Sequence, residues 1–363
     1  NRIQCDTLLL KDQVRIASIR GDLGRGTVSG QGRLAIAGGL PTGRLQLNAE
    51  NVDCKTLSRI AGQRVDGKGN LRLTADVSGS ARGTLELSAD RISASGIHID
   101  AVRIPVRWTA DPRSRLATWK CEHGLASVGG GQVRIATQGR YAGMLDVDNR
   151  IHLQRVDVGR AFDRGRALGT VDGEIHVGSK RLRSIGDLSG GFEIRLSQPN
   201  PLAIPILDQL PGLTTVSASR PGYGEAGGIV RGRLQRGVVH LDEAAVWRSN
   251  VQIIADGTAT LSGKLDVDVT ASTENNSPGD ALIELFDSPV MLAAPAPVAL
   301  LARANDVLRD RVVHAHLGGT AKRPVVRIQP GKQLSQDAIQ FFLRGTLGRS
   351  AADLVQQRQS NLR

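Results

Sequence analysis

The chain has 363 residues, of which 40% are hydrophobic but only 3% aromatic, with 43 glycines and 47 basic against 35 acidic residues. That length allows one large or two to three ordinary domains, and no apolar run reaches the ~18 residues of a membrane-spanning helix. Three cysteines, Cys5, Cys54 and Cys121, are too few and too dispersed for a disulfide framework or a zinc site, though one bridge with a thiol left over is possible.

The formal charge of +12 favours anionic partners such as acidic lipid headgroups, polysaccharide or nucleic acid. The basic residues are spread singly, as on a solvated face. The aromatics that single-stranded nucleic acid needs for base stacking are scarce, so no nucleic-acid partner is expected.

In chain order, "VSGQGRLAI" (28–36) is the first clear apolar/polar alternation. Then "NVDCKTLSRIAGQRVDGKGNLRL" (51–73) is matched about a hundred residues on by "RVDVGRAFDRGRALGTVDGEIHV" (155–177). Each copy has a Val-Asp pair, a short helix-like stretch, then Val-Asp-Gly and a strand. Asp53 and Asp157 stand where N-caps belong. From Val65 to Ala89 every odd position is apolar or Gly, and every even position is polar. One strand of that length would run about 85 Å at ~3.4 Å per residue, so a hairpin is expected with its turn in "SGSARG" (78–83). Unbroken parity demands an odd loop, such as a three-residue loop with Gly.

Further runs follow at 132–138, 144–156, 190–196 and 228–241. "VQIIADGTATLSGKLDVDVT" (251–270) alternates again, with Ile254 its one apolar even position, and folds back at "LSGKL" (261–265). "RPVVRIQ" (323–329) closes the series. Roughly ten or more strands follow, with no rhythm of strands and long helices. Three segments break the pattern: 200–213, a Pro-bounded helix or turn; 279–310, a Pro-rich insert helical at both ends; and 334–345, a helix followed by a capping box at Ser350–Asp353 that opens a C-terminal helix.

No catalytic template fits. "GYGEAG" (222–227) matches the dinucleotide glycine pattern without the strand before it or the helix after it. "HAH" (314–316) places two imidazoles on one strand face without a third ligand. "CEH" (121–123) has the same weakness. "DVD" at 146–148 and 266–268 pairs carboxylates on what reads as a solvated face. The expectation is a non-enzymatic chain with no catalytic residue, metal or cofactor.

Residues 227–270 resemble the C-terminal region of the AsmA-like family of bacterial envelope proteins, relatives of bridge-like lipid-transfer proteins. The matching residues are Gly237, Val239, Leu241, Ile253, Gly257, Leu261, Gly263, Leu265, Asp266 and Val267. The closing strand of that family is similar to 316–330 through Gly319, Thr320, Pro324 and Val326, and the resemblance covers 50–330. It implies a mainly β fold: a long curved antiparallel sheet forming an open apolar groove, with short helices and a C-terminal helix. The expected organisation is repeated β-groove segments over 1–196, an AsmA-like β region over 197–330 and a helical tail over 331–363.

The implied function is to carry phospholipid, or another acyl-chain lipid, between inner and outer membranes, or to support outer-membrane assembly. The implied location is the periplasm, with an inner-membrane anchor in an N-terminal segment outside this chain, and envelope membrane proteins are possible partners. The groove would be lined by Leu71, Leu73, Val77, Leu85, Leu87, Val251, Ile253, Leu261, Leu265, Val267 and Val269. The alternative is a structural or adhesive β-sandwich or β-solenoid protein whose oily face is a closed core.

Overall fold

The computed structural model describes residues 3–10, 13–23, 25–37, 40–55, 65–94, 96–162, 169–199, 226–248, 251–273, 312–320 and 323–329. The segments 200–213, 279–310 and 331–363, with the helices expected there, lie outside the described residues. The protein is mainly β, with its eighteen described strands in one antiparallel sheet that does not close into a barrel, and very few helices. By internal contacts the chain divides into two units, Asn1–Ile194 with Leu234–Gly237, and Arg195–Arg233 with Val238–Arg363.

The first unit is a meander. Its strands are β1 (Ile3–Leu10), β2 (Gln13–Leu23), β3 (Gly26–Ala37), β4 (Leu40–Asp53), β5 (Val65–Ser78) and β6 (Ser80–Ala94). Then come β7 (Ile97–Asp111), β8 (Leu116–Val128), β9 (Gly131–Tyr141), β10 (Leu145–Asp157), β11 (Thr170–Leu182) and β12 (Ser189–Ser197). From β1 to β11 each strand pairs antiparallel with its successor. Paired residues share a face, so alternation within each strand becomes rows running across the sheet.

The 65–89 hairpin forms with its parity intact, but through a tighter turn than expected. Ser78 pairs with Ser80 about Gly79, whose φ of +73° is open to glycine at little cost.

The internal repeat is structural as well. Asn51 and Arg155 both take left-handed φ values, +55° and +49°, at register shifts in β4 and β10. Each backbone N–H there donates to a side chain on the next strand, Asn70 Oδ1 at 3.0 Å and Asp172 Oδ1 at 2.9 Å. Asp157 caps the short helix α1 (Val158–Ala161) by accepting from Arg160 N at 3.0 Å, and Asp53 accepts from Lys55 N at 3.0 Å.

α1 packs on β7 and β10 and buries Gly159 and Ala161. The turn between β8 and β9 closes under its cap: at Gly129 (φ +55°) a Cβ would stand 2.1 Å from the carbonyl oxygen of Asp157. Gly129→Ala therefore combines left-handed strain with a backbone clash, and the expected loss is about 3 kcal/mol. Urea unfolding monitored by far-UV circular dichroism checks it; a midpoint equal to wild type refutes the account.

The second unit holds β13 (Gly227–Gln235), β14 (Val238–Arg248), β15 (Val251–Thr260), β16 (Leu265–Thr273), β17 (Val312–Thr320) and β18 (Arg323–Ile328). From β14 to β18 successive strands again pair antiparallel. The 261–265 hairpin forms as expected, closed by Thr260 N to Lys264 O at 2.9 Å.

Candidate functional site

The candidate site is the apolar face of the first unit, built row by row. One row runs Gly30, Leu47, Leu73, Leu85, Val106 across β3 to β7, and the next runs Val28, Ala49, Leu71, Leu87, Ile104. A third runs from Ile16 through Gly32, Leu45, Ala75, Gly83, Trp108, Trp119, Gly139 and Val147 to Ser179. In this row two indoles lie side by side between two glycines. The ring of Trp119 covers Gly139 so closely that a Cβ there would lie 1.9 Å from it. Trp108 Nε1 is buried and has no hydrogen-bond partner among the described residues.

The burial along this face is uneven. In rows beside α1 the small residues Ala89, Val102, Ala126, Val133, Val156 and Val171 are buried. Away from it, Leu45, Leu47, Leu71, Leu73, Val77, Leu85, Leu87, Val106, Trp108 and Trp119 are only half-buried. So the face is closed over small residues near α1 and partly open over large ones. Of the lining candidates, Leu71, Leu73, Val77, Leu85 and Leu87 are brought together here on adjacent strands.

The others fall in the second unit, where the setting differs. Ile253, Val267 and Val269 belong to a packed cluster with Ala271, Ala315 and Leu317, against which Leu241, Ala255, Val313 and Val326 rest. Leu265 is half-buried, and Leu261 sits on the hairpin turn, 42% exposed. Val251 is placed in β15, opposite Arg248 and Thr273.

Trp108 and Trp119 are site residues that sequence reasoning missed. Pro105 argues against an interior strand through "VRIPVRW", since it cannot donate to a ladder. The structure accommodates it where the β7–β8 register shifts between Arg103 and Arg107. The signal was present in the even parity of Val102, Ile104, Val106, Trp108 and Ala110.

The opposite face is polar and carries the cross-strand charge pairs Arg44–Asp76, Arg91–Asp100 and Arg107–Glu122, with Lys120 sharing Glu122 along β8; in the second unit Arg231–Glu243 and Arg233–Asp242 link β13 and β14. A hollow of about 1130 Å³ lies over β7–β12. It is centred on the row of Trp108, Trp119, Gly139, Val147 and Ser179, and its rims are the flanking rows Arg107, Lys120, Gln138, Asp148 and Gly178, and Thr109, Thr118, Arg140, Asp146 and Lys180. Thr109 and Thr118 hydroxyls bond each other at 2.7 Å.

Both D-V-D motifs meet a histidine across the ladder. Asp148 is hydrogen-bonded to His176 and accepts from Gln138 Nε2 at 3.1 Å. In "HAH", His316 Nδ1 lies 3.1 Å from Asp268 and His314 Nδ1 lies 3.1 Å from Thr270 Oγ1. His123 of "CEH" is exposed, Cys121 is 2% exposed, and the three cysteines are free thiols. Among the described residues, no group of three or more His, Cys, Asp or Glu could hold a metal ion.

The bond to His176 holds the Asp148 carboxyl below the usual carboxylate range, and Lys120 and Arg233 do the same for Glu122 and Asp242. A carboxyl with a lowered folded pKa contributes stability above its unfolded pKa and loses it as pH falls through the folded value. The urea midpoint is therefore expected to hold from neutrality down to the ordinary carboxylate range and then drop. Asp148→Asn should remove part of that drop. An acid limb equally steep in the variant excludes Asp148 as a contributor.

No protein-family model, curated protein or solved structure matches the chain.

Proposed function

We propose that this protein is a non-enzymatic carrier of acyl-chain lipid, holding the chains of a phospholipid against the apolar face of its first unit. The observation that carries this reading is the half-exposed patch of Leu71, Leu73, Leu85 and Leu87 with Val106, Trp108 and Trp119. A contiguous open apolar surface of large side chains is abnormal for a plain soluble surface and marks a site that meets something greasy. Aliphatic rows suit an acyl chain because each buried CH₂ is worth about 0.8 kcal/mol and needs no directional contact. Leu73 opposite Leu85 and Leu71 opposite Leu87 form a smooth two-strand floor.

The closing of the face near α1 would give such a chain an end-stop, and a passage or a berth would then run along the open rows. The resemblance to AsmA-like envelope proteins favours phospholipid as the cargo and the periplasm as the place. In that setting the task is transfer between inner and outer membranes or support of outer-membrane assembly. The reading of the oily face as a closed core is favoured for the second unit, where Ile253, Val267, Val269, Ala271, Ala315 and Leu317 are buried together.

The test is native mass spectrometry with lipid extraction on the chain purified from a bacterial host. Co-purifying phospholipid supports the carrier. A lipid-free, compact and stable protein assigns the whole oily face to folding and rejects it.

A further inference from the structure

We propose that Arg15, Arg33 and Arg44 form a binding site for a phosphate-type oxyanion on the polar face of the first unit. The site lies on the face opposite the apolar rows and does not rest on the lipid reading.

The register puts these residues side by side. Arg15 is directly opposite Arg33, and Arg33 is directly opposite Arg44, on three adjacent strands β2, β3 and β4. Like charges directly opposite in an antiparallel ladder are destabilising. Elsewhere on this face the cross-strand neighbour of an arginine is often acidic: Asp76 faces Arg82 and Glu86 faces Arg72. Arg44 is neutralised on its far side by Asp76, Nε to Oδ1 at 2.7 Å. Arg15 and Arg33 have no such partner among the described residues. Two guanidinium groups thus stand together with their charge uncompensated.

The space between them is shaped to be filled. A hollow of about 330 Å³ is lined by Arg15, Arg33 and Arg44, by Gln31 and Gln46, and by Gly32. Gln31 and Gln46 form the neighbouring row, with Nε2 to Oε1 at 3.5 Å, and add amide donors beside the guanidinium row. Guanidinium forks match the geometry of phosphate oxygens bidentately, and more than one fork can meet a single tetrahedral oxyanion. An anion seated there would remove the repulsion that the register creates. The same chemistry is offered by a soluble phosphate group and by the phosphate of a lipid headgroup.

The experiment compares the whole chain with Arg15→Gln/Arg33→Gln, with Arg33→Lys, and with Arg103→Gln/Arg150→Gln as a charge-matched control. Inorganic phosphate at tens of millimolar, at constant ionic strength against chloride, is expected to raise the wild-type melting temperature by about 2–4 °C more than that of Arg15→Gln/Arg33→Gln. The control should respond like wild type, which removes the general stabilising effect of phosphate on proteins from the comparison. Arg33→Lys keeps the charge but loses the fork, so it should respond less than wild type. In chloride alone the double variant should melt no lower than wild type, because a repulsion has been removed.

Equal phosphate responses in all four proteins overturn the site. So does a double variant and Arg33→Lys that both melt several degrees lower in chloride, since the arginines would then be structural. Sedimentation with phosphatidylglycerol vesicles, against phosphatidylcholine alone, identifies the source. Pelleting that is weaker for Arg15→Gln/Arg33→Gln than for the control, and competed by phosphate, points to a headgroup. Phosphate binding without such pelleting points to a soluble ligand.

Discussion

Val267→Asp is expected to unfold the strands around β16, with a loss of about 5 kcal/mol. Val267 is 7% exposed, pairs with Gly257 on one side and Leu317 on the other, and belongs to the buried cluster of Ile253, Val269, Ala271, Ala315 and Leu317. A carboxylate placed there loses its hydration and gains no cation, one of the few single changes that costs this much. Val267→Ala, which removes only packing, should cost about 2 kcal/mol. Hydrogen exchange over β15–β17 with urea unfolding checks both. A Val267→Asp protein as stable as Val267→Ala would mean that this face opens to water.

Leu73→Asp is expected to have the opposite signature if the proposed lipid carriage holds: a folded protein that no longer retains lipid. Leu73 is half-buried, and its row neighbours Leu47 and Leu85 are half-buried too, so water can reach the new carboxylate. The cost to stability is expected to be about 1–2 kcal/mol, while the charge interrupts the aliphatic floor that an acyl chain would lie on. Co-purifying phospholipid should fall at least about tenfold, since desolvating a carboxylate against hydrocarbon outweighs the gain from several methylene contacts. Leu85→Asp, directly opposite, should behave alike. Lipid retained in both folded variants rejects the groove; lipid lost together with near-ultraviolet dichroism shows only that the fold has failed.

The contrast between these two substitutions marks where sequence reading stops. Residues 65–89 and 251–270 carry the same alternation, and both fold as hairpins with parity kept across the turn. Yet Leu73 is half-buried and Val267 is buried. Period-two alternation reports that one face of a strand is apolar; it carries no term for what lies opposite that face. Leu261 illustrates the same limit at smaller scale. Its parity fits the row, but the closing bond from Thr260 to Lys264 places it on the turn.

The Asp157 cap was legible because capping is local, decided within three residues by which side chain can reach an unpaired N–H; the stretch that Asp53 was expected to cap lies outside the described residues. The Trp108–Trp119 pair and the Gly139 seat beneath it were not legible, because residues far apart in the chain meet only once the register of β7, β8 and β9 is set.

By itself the amino-acid sequence determined the strand-rich character, the division of strands into an oily and a wet face, the hairpin turns at 78–83 and 261–265, and the Asp157 cap. These are matters of neighbouring residues, since pleat, turn and cap energies act over two to five positions. The tertiary structure alone decided which oily rows are covered and which stay half-open, and it stacked Arg15, Arg33 and Arg44 into one line of charge. Burial and cross-strand pairing are sums over residues brought together by register, and a one-residue slip would place different side chains in every row.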